Sequence, residues 1–74
     1  MKIEISEIFL KENDSRKKLE IQLEKPKKII EILEELEVEN LGYADFYLND
    51  IKVKKNATAE NDDKLIVLPI VGGG

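Results

Sequence analysis

Lys64-Leu65-Ile66-Val67-Leu68-Pro69-Ile70-Val71-Gly72-Gly73-Gly74 closes the 74-residue sequence and decides how the rest is read. A short, unbroken aliphatic run after a polar turn fits a strand covered on both faces. Leu65 to Leu68 are therefore expected to form a central, doubly buried strand. Pro69 has no backbone N–H and should mark the place where regular pairing ends. Ile70 and Val71 lie past that point, where burial is harder, and are candidates for contact with a partner. The glycines lack a Cβ, so the segment they form is thin and conformationally free. Frayed ends are common, but they are usually polar, whereas here an apolar strand passes straight into glycine. The expectation is a functional tail.

Working backward, Asn61-Asp62-Asp63 is turn chemistry. Phe46-Tyr47-Leu48 and Ile51-Lys52-Val53 flank Asn49-Asp50, the pattern of a tight hairpin, although glycine suits the second turn position better than aspartate. Lys54 to Asp63 is polar and irregular, with room for one short turn of helix. Ile29, Ile30, Ile32, Leu33 and Leu36 recur at helical spacing, and glutamates fill the other face. Pro26 suits the first turn of that helix. Leu19, Ile21 and Leu23 alternate with polar residues as a strand with one wet face. Ile3 and Ile5 do the same until the phase slips at Ser6-Glu7, as at a bulge or a strand end. The order strand, strand, helix, strand, short strand, strand gives a two-layer α+β domain. One main helix packs on a mixed sheet of four or five strands, with the first and last strands pairing in parallel at the centre. Residues 1–71 form the domain and 72–74 the flexible tail.

Composition removes several chemistries. The sequence has no cysteine and no histidine, which excludes disulfides, thiol catalysis, a histidine base and the usual zinc sites. The formal charge is -4, from 16 acidic and 12 basic residues, and Arg16 is the sole arginine. That balance argues against direct nucleic-acid binding. No apolar run approaches membrane-spanning length and no signal peptide is visible, so a cytoplasmic location is expected. The pairs Glu34-Glu35 and Asp62-Asp63 lack an apolar pocket that would suit acid–base work, and no metal site is expected. Lys25, Lys27 and Lys28 read as a solvated helix start. Glu34, Glu35, Glu37 and Glu39 read as a solvated face, and Asn56-Ala57-Thr58 as a chance glycosylation pattern.

In element order and size the chain resembles a β-grasp, ubiquitin-like protein. More closely it is similar to the sulfur-carrier family that includes the thiamine-biosynthesis carrier and the small subunit of molybdopterin synthase. The residues that carry the likeness are the turn Asn61-Asp62-Asp63, the strand Lys64 to Leu68, Pro69 and the final glycines. Asp62 stands where the family usually has glycine, Ile70 replaces a second proline, and Gly72 adds a third glycine.

The resemblance implies a carrier, not an enzyme, with no cofactor of its own. An activating enzyme would use ATP to adenylate the carboxylate of Gly74. A sulfide or persulfide donor would then displace AMP to leave a thiocarboxylate. The carrier would pass its sulfur to an enzyme building a pterin dithiolene, a thiazole or a thiolated transfer RNA. Gly72 and Gly73 would supply the slim approach. Leu68, Pro69, Ile70 and Val71, with Phe46 and Leu48 beside them on an exposed sheet face, would form the partner-binding surface. For Phe46 and Leu48 core burial weighs more than this surface role, and for Leu68 the two weigh equally. A monomer that docks transiently fits this scheme. A modifier joined through Gly74 to lysines of other proteins uses the same adenylate. A plain interaction domain with inert glycines is the third reading.

Overall fold

The computed structural model describes residues 1–10 and 17–70. In chain order the elements are β1 (Lys2–Ile5), a 3-10 turn (Glu7–Phe9), β2 (Lys18–Glu20), β3 (Lys27–Lys28) and α1 (Ile29–Glu35). A second 3-10 turn (Leu41–Tyr43), β4 (Ala44–Leu48), β5 (Ile51–Val53), β6 (Thr58–Ala59) and β7 (Lys64–Pro69) follow. Five strands make one mixed sheet in the order β2-β1-β7-β4-β5, and β3 and β6 make a separate two-stranded ribbon. The first and last strands of the sheet pair in parallel, Ile3 beside Leu65 and Ile5 beside Val67, and all other pairs are antiparallel. The expected α+β architecture and the central parallel pair are therefore present.

Helix α1 buries Ile29, Ile32 and Leu33 in one cluster with Ile3, Ile5, Phe46, Leu65 and Val67. Among the described residues only this side of the sheet is covered, and β7 shows the consequence. Leu65 and Val67 are fully buried, Ile66 is half-buried and Leu68 is exposed. The doubly buried strand expected from the aliphatic run is corrected here: β7 is central in pairing but covered on one face. A single helix layer shields one face only.

Pro26 lies outside the helix. Lys28 is extended, with φ -69° and ψ 141°, because Lys27 and Lys28 pair with Ala59 and Thr58. The helix starts at Ile29 and has no side-chain cap. Its first donors are met from elsewhere: Ile29 N–H donates to Ala57 O at 2.9 Å and Ile30 N–H to Lys55 O at 3.0 Å. The 54–63 stretch thus holds one short strand, β6, and turns instead of the short helix the sequence allowed. At its other end the helix stops in a Schellman motif. Glu37 N–H donates to Glu34 O at 3.0 Å and Val38 N–H to Leu33 O at 3.1 Å, with Glu37 in the left-handed region at φ 58°. Val38 is buried beside Leu33 in the core, the hydrophobic contact that accompanies this motif.

The phase slip after Ile5 is a strand end. Ser6 N–H donates to Val67 O at 3.0 Å, and the chain turns so that Phe9 is fully buried. Strand β2 is shorter than the Leu19 to Leu23 alternation suggested, yet Leu19, Ile21 and Leu23 all pack against the core. The β4–β5 hairpin turns through Asn49 and Asp50 with φ of 53° and 70°, the type I′ geometry that matches strand twist.

Candidate functional site

The end of β7 is built by two different neighbours. Pairing with β1 ends at Ile5 beside Val67, where β1 turns away. Pairing with β4 continues, since Ala44 opposes Pro69 and Ile70 N–H donates to Tyr43 O at 2.9 Å. Backbone N–H groups alternate sides along a strand. Ile70 points its donor to β4, so the missing donor of Pro69 would have faced the side that β1 has vacated. Proline therefore ends pairing on one side only, and the strand reaches Ile70 still held by β4.

Leu68 and Ile70 emerge on the solvent side, 43% and 55% exposed, beside Tyr43 at 72%. Register extends this patch along the face opposite the helix. Leu68 lies across from Asp45, and Ile66 lies between Tyr47 of β4 and Glu4 of β1. Charged pairs frame the apolar stripe. Glu4 meets Lys64 at 3.6 Å and Lys18 at 3.9 Å, and Asp45 meets Lys52 at 3.6 Å. Such exposed pairs contribute little stability, but they shield the stripe without covering it.

At the far end of β7 the chain is clamped. Asn49 Nδ2 donates to Asp63 Oδ1 at 2.8 Å, and Lys64 N–H donates to Asn49 Oδ1 at 3.0 Å. Asp63 Oδ2 accepts the Glu60 N–H at 2.7 Å. One side chain thus locks the hairpin tip to the turn at Asn61-Asp62-Asp63, and so sets the register that places Ile66 and Leu68 outward.

The sequence-assigned surface divides. Leu68 and Ile70 are exposed, and Pro69 is half-buried between them. Phe46 is corrected to core: it is 4% exposed and packs with Val67 and Ile3. Leu48 shares its face and rests against the same core. Both point to the helix side because strand positions two apart share a face, and the outward residue between them is Tyr47. Tyr43, Tyr47 and Ile66 are the members the sequence reading missed. The residue types carry no signal for them; only the fold shows that Tyr47 lies one position out of phase with buried Phe46, and Ile66 with buried Leu65 and Val67. Val71, Gly72, Gly73 and Gly74 lie outside the described residues. Among the described residues, no group of three acidic, histidine or cysteine side chains could hold a metal ion, and no helix is long and apolar enough to cross a membrane. None has a buried side-chain polar atom without a partner.

No family model and no curated protein matches the sequence. Solved structures match its fold. A crystal structure of the thiamine biosynthesis protein ThiS from Geobacter metallireducens aligns with a TM-score of 0.63 at 20% identity, covering 100% of both chains. The chain has the ThiS β-grasp fold. A solution structure of a thiamine biosynthesis protein from the same organism aligns with a TM-score of 0.54 at 20% identity, over 100% of this chain and 88% of that one. At this identity the likeness concerns the fold. In the ThiS-like β-grasp seen here, the stripe of Tyr43, Tyr47, Ile66, Leu68 and Ile70 is apolar surface that the core does not use.

Proposed function

We propose that this chain is a cytoplasmic, ubiquitin-like sulfur carrier that acts as a co-substrate. An ATP-dependent activating enzyme joins the α-carboxylate of Gly74 to AMP and releases pyrophosphate. The adenylate supplies the leaving group that a carboxylate lacks. Sulfide attacks the acyl carbon and expels AMP to give a thiocarboxylate. Where a persulfide is the donor, a thiol must also cleave the acyl persulfide. Gly72 and Gly73 offer no side chain to obstruct either attack. Biosynthesis of a thiazole is the first destination to test, because the structural neighbours bear the name of thiamine biosynthesis. A pterin dithiolene and a thiolated transfer RNA are the other destinations.

One observation carries this reading: the strand leading to the glycines turns apolar side chains outward. Leu68 near the end of β7 and Ile70 just past it, beside Tyr43, are exposed and continue the outward row of Ile66 and Tyr47. An enzyme seated on that stripe would receive the segment that follows. The test is ATP–pyrophosphate exchange by the activating enzyme from the native cells. Exchange should depend on the chain and disappear when Gly73 and Gly74 are deleted. Exchange that persists after the deletion, or never occurs, removes the proposal. Capture of Gly74 in amide linkage to lysines would redirect it to protein modification.

A further inference from the structure

On the far side of the molecule from β5, strand β2 forms the other edge of the sheet. Its hydrogen-bonding phase can be read from its pairs. Ile5 N–H donates to Lys17 O, Leu19 opposes Ile3, and Ile21 and Met1 exchange bonds, with Ile21 N–H to Met1 O at 2.9 Å and the Met1 amine to Ile21 O at 2.7 Å. The odd-numbered residues therefore face β1. The N–H and C=O groups of Lys18, Glu20 and Gln22 face outward, where no described strand lies. The open stretch ends at Leu23, whose N–H is taken by Asn61 Oδ1 at 2.8 Å.

Beside this edge runs a groove between the β2–β3 connection and helix α1. Its apolar lining is Ile21, Leu23, Pro26, Ile32 and Leu36. Ile21, Leu23 and Leu36 are half-buried against the core and half open. The Lys27–Glu35 ion pair also lines it. The helix rim carries Glu31, which has no ionic partner among the described residues.

An open row of backbone groups next to an apolar trough is the arrangement that accepts an added strand. Main-chain bonds hold such a strand, and alternate side chains fill the trough. We infer that β2 and α1 form a docking site for an extended segment of a partner protein. That segment has aliphatic side chains at alternate positions and a basic residue opposite Glu31. Its backbone pairs with Lys18, Glu20 and Gln22, its aliphatic side chains enter between Leu23 and Leu36, and its cation meets the Glu31 carboxylate. The site uses neither the outward face of β7 nor the glycines. A protein bound here would hold the chain while another enzyme works on the tail. The inference does not depend on the sulfur-carrier reading.

The test is NMR with the full chain and a short capped peptide of alternating valine and threonine that carries one lysine on its valine-bearing face. The expected result is saturable binding, with amide exchange slowed about tenfold or more at Lys18, Glu20 and Gln22 and unchanged at Leu19 and Ile21. Glu20→Pro removes an outward donor at an edge position that tolerates proline, and should abolish binding while preserving the spectrum of the fold. Glu31→Lys should weaken binding by about threefold at low salt, an effect lost at high salt. If Glu20→Pro fails to fold, the alternating exchange pattern of the unaltered chain decides. The inference is overturned if no saturable binding occurs at millimolar peptide, if Glu20→Pro binds equally well, or if the perturbed residues are Tyr47, Ile66 and Leu68.

Discussion

Two faces of one strand differ more than their residues do. On the helix side of β7, Leu65 and Val67 are completely enclosed. On the other side Ile66 and Leu68, equally aliphatic, lie among Tyr47, Glu4 and Asp45 with solvent above them. Hydrophobicity alone cannot tell these positions apart, since folding uses only the face that meets a second layer. Aliphatic residues on the uncovered face are in excess of what the core needs, and the proposed function gives that surface to an activating enzyme. The same division falls on β4, where Phe46 is sealed and Tyr47 is not.

The strongest way to break this comparison is to truncate both faces equally. Leu65→Ala should lower unfolding free energy by about 3 kcal/mol, because a fully buried leucine leaves a cavity. Leu68→Ala should change it by less than about 1 kcal/mol. Urea unfolding measures both, and equal losses would mean that the two faces are energetically alike. Next, Ile70→Asp should reduce kcat/KM for adenylation about tenfold or more while the urea midpoint stays in place. A loss of stability instead would assign Ile70 to the fold.

Smaller effects sharpen the geometry that separates the faces. Glu37 ends the helix in a left-handed conformation that glycine adopts without strain. Glu37→Gly is expected to raise stability by about 1 kcal/mol in thermal unfolding, and a decrease would show that the glutamate side chain contributes more than its backbone costs. Asp50 sits at φ 70° in the turn that sets the β4–β5 register. Asp50→Gly should add about 0.5 kcal/mol and leave the amide pattern of Tyr47 unchanged. A shifted pattern would reveal that the turn, not the face preference, chooses which residues point outward.

Much of this was legible in the residues. The Asn49-Asp50 pair announced its turn, the spacing of Ile29, Ile32 and Leu33 announced the helix, and Ile3 and Leu65 announced a central pair. The outward stripe was not legible, because Leu65 to Leu68 are uniformly aliphatic and carry no alternation from which to read a phase. Phe46 could not be assigned to one face for the same reason: it differs from its outward neighbour Tyr47 by one hydroxyl. The start of the helix was hidden too. Pro26 satisfies the local rule for a first turn, but pairing of Lys27 and Lys28 with Thr58–Ala59 involves residues far along the chain. The stop at Glu37 had no glycine to signal it.

The central claim concerns Gly74, and the most direct measurement is the intact mass of the protein from its native cells, followed by the mass of its C-terminal peptide. A fraction about 16 Da heavier, confined to the peptide bearing Gly72-Gly73-Gly74 and lost on mild hydrolysis, is the expected result, as oxygen is replaced by sulfur in the acyl-transfer scheme. A C-terminal peptide of unmodified mass, in cells whose activating enzyme also fails to adenylate the chain, would contradict it.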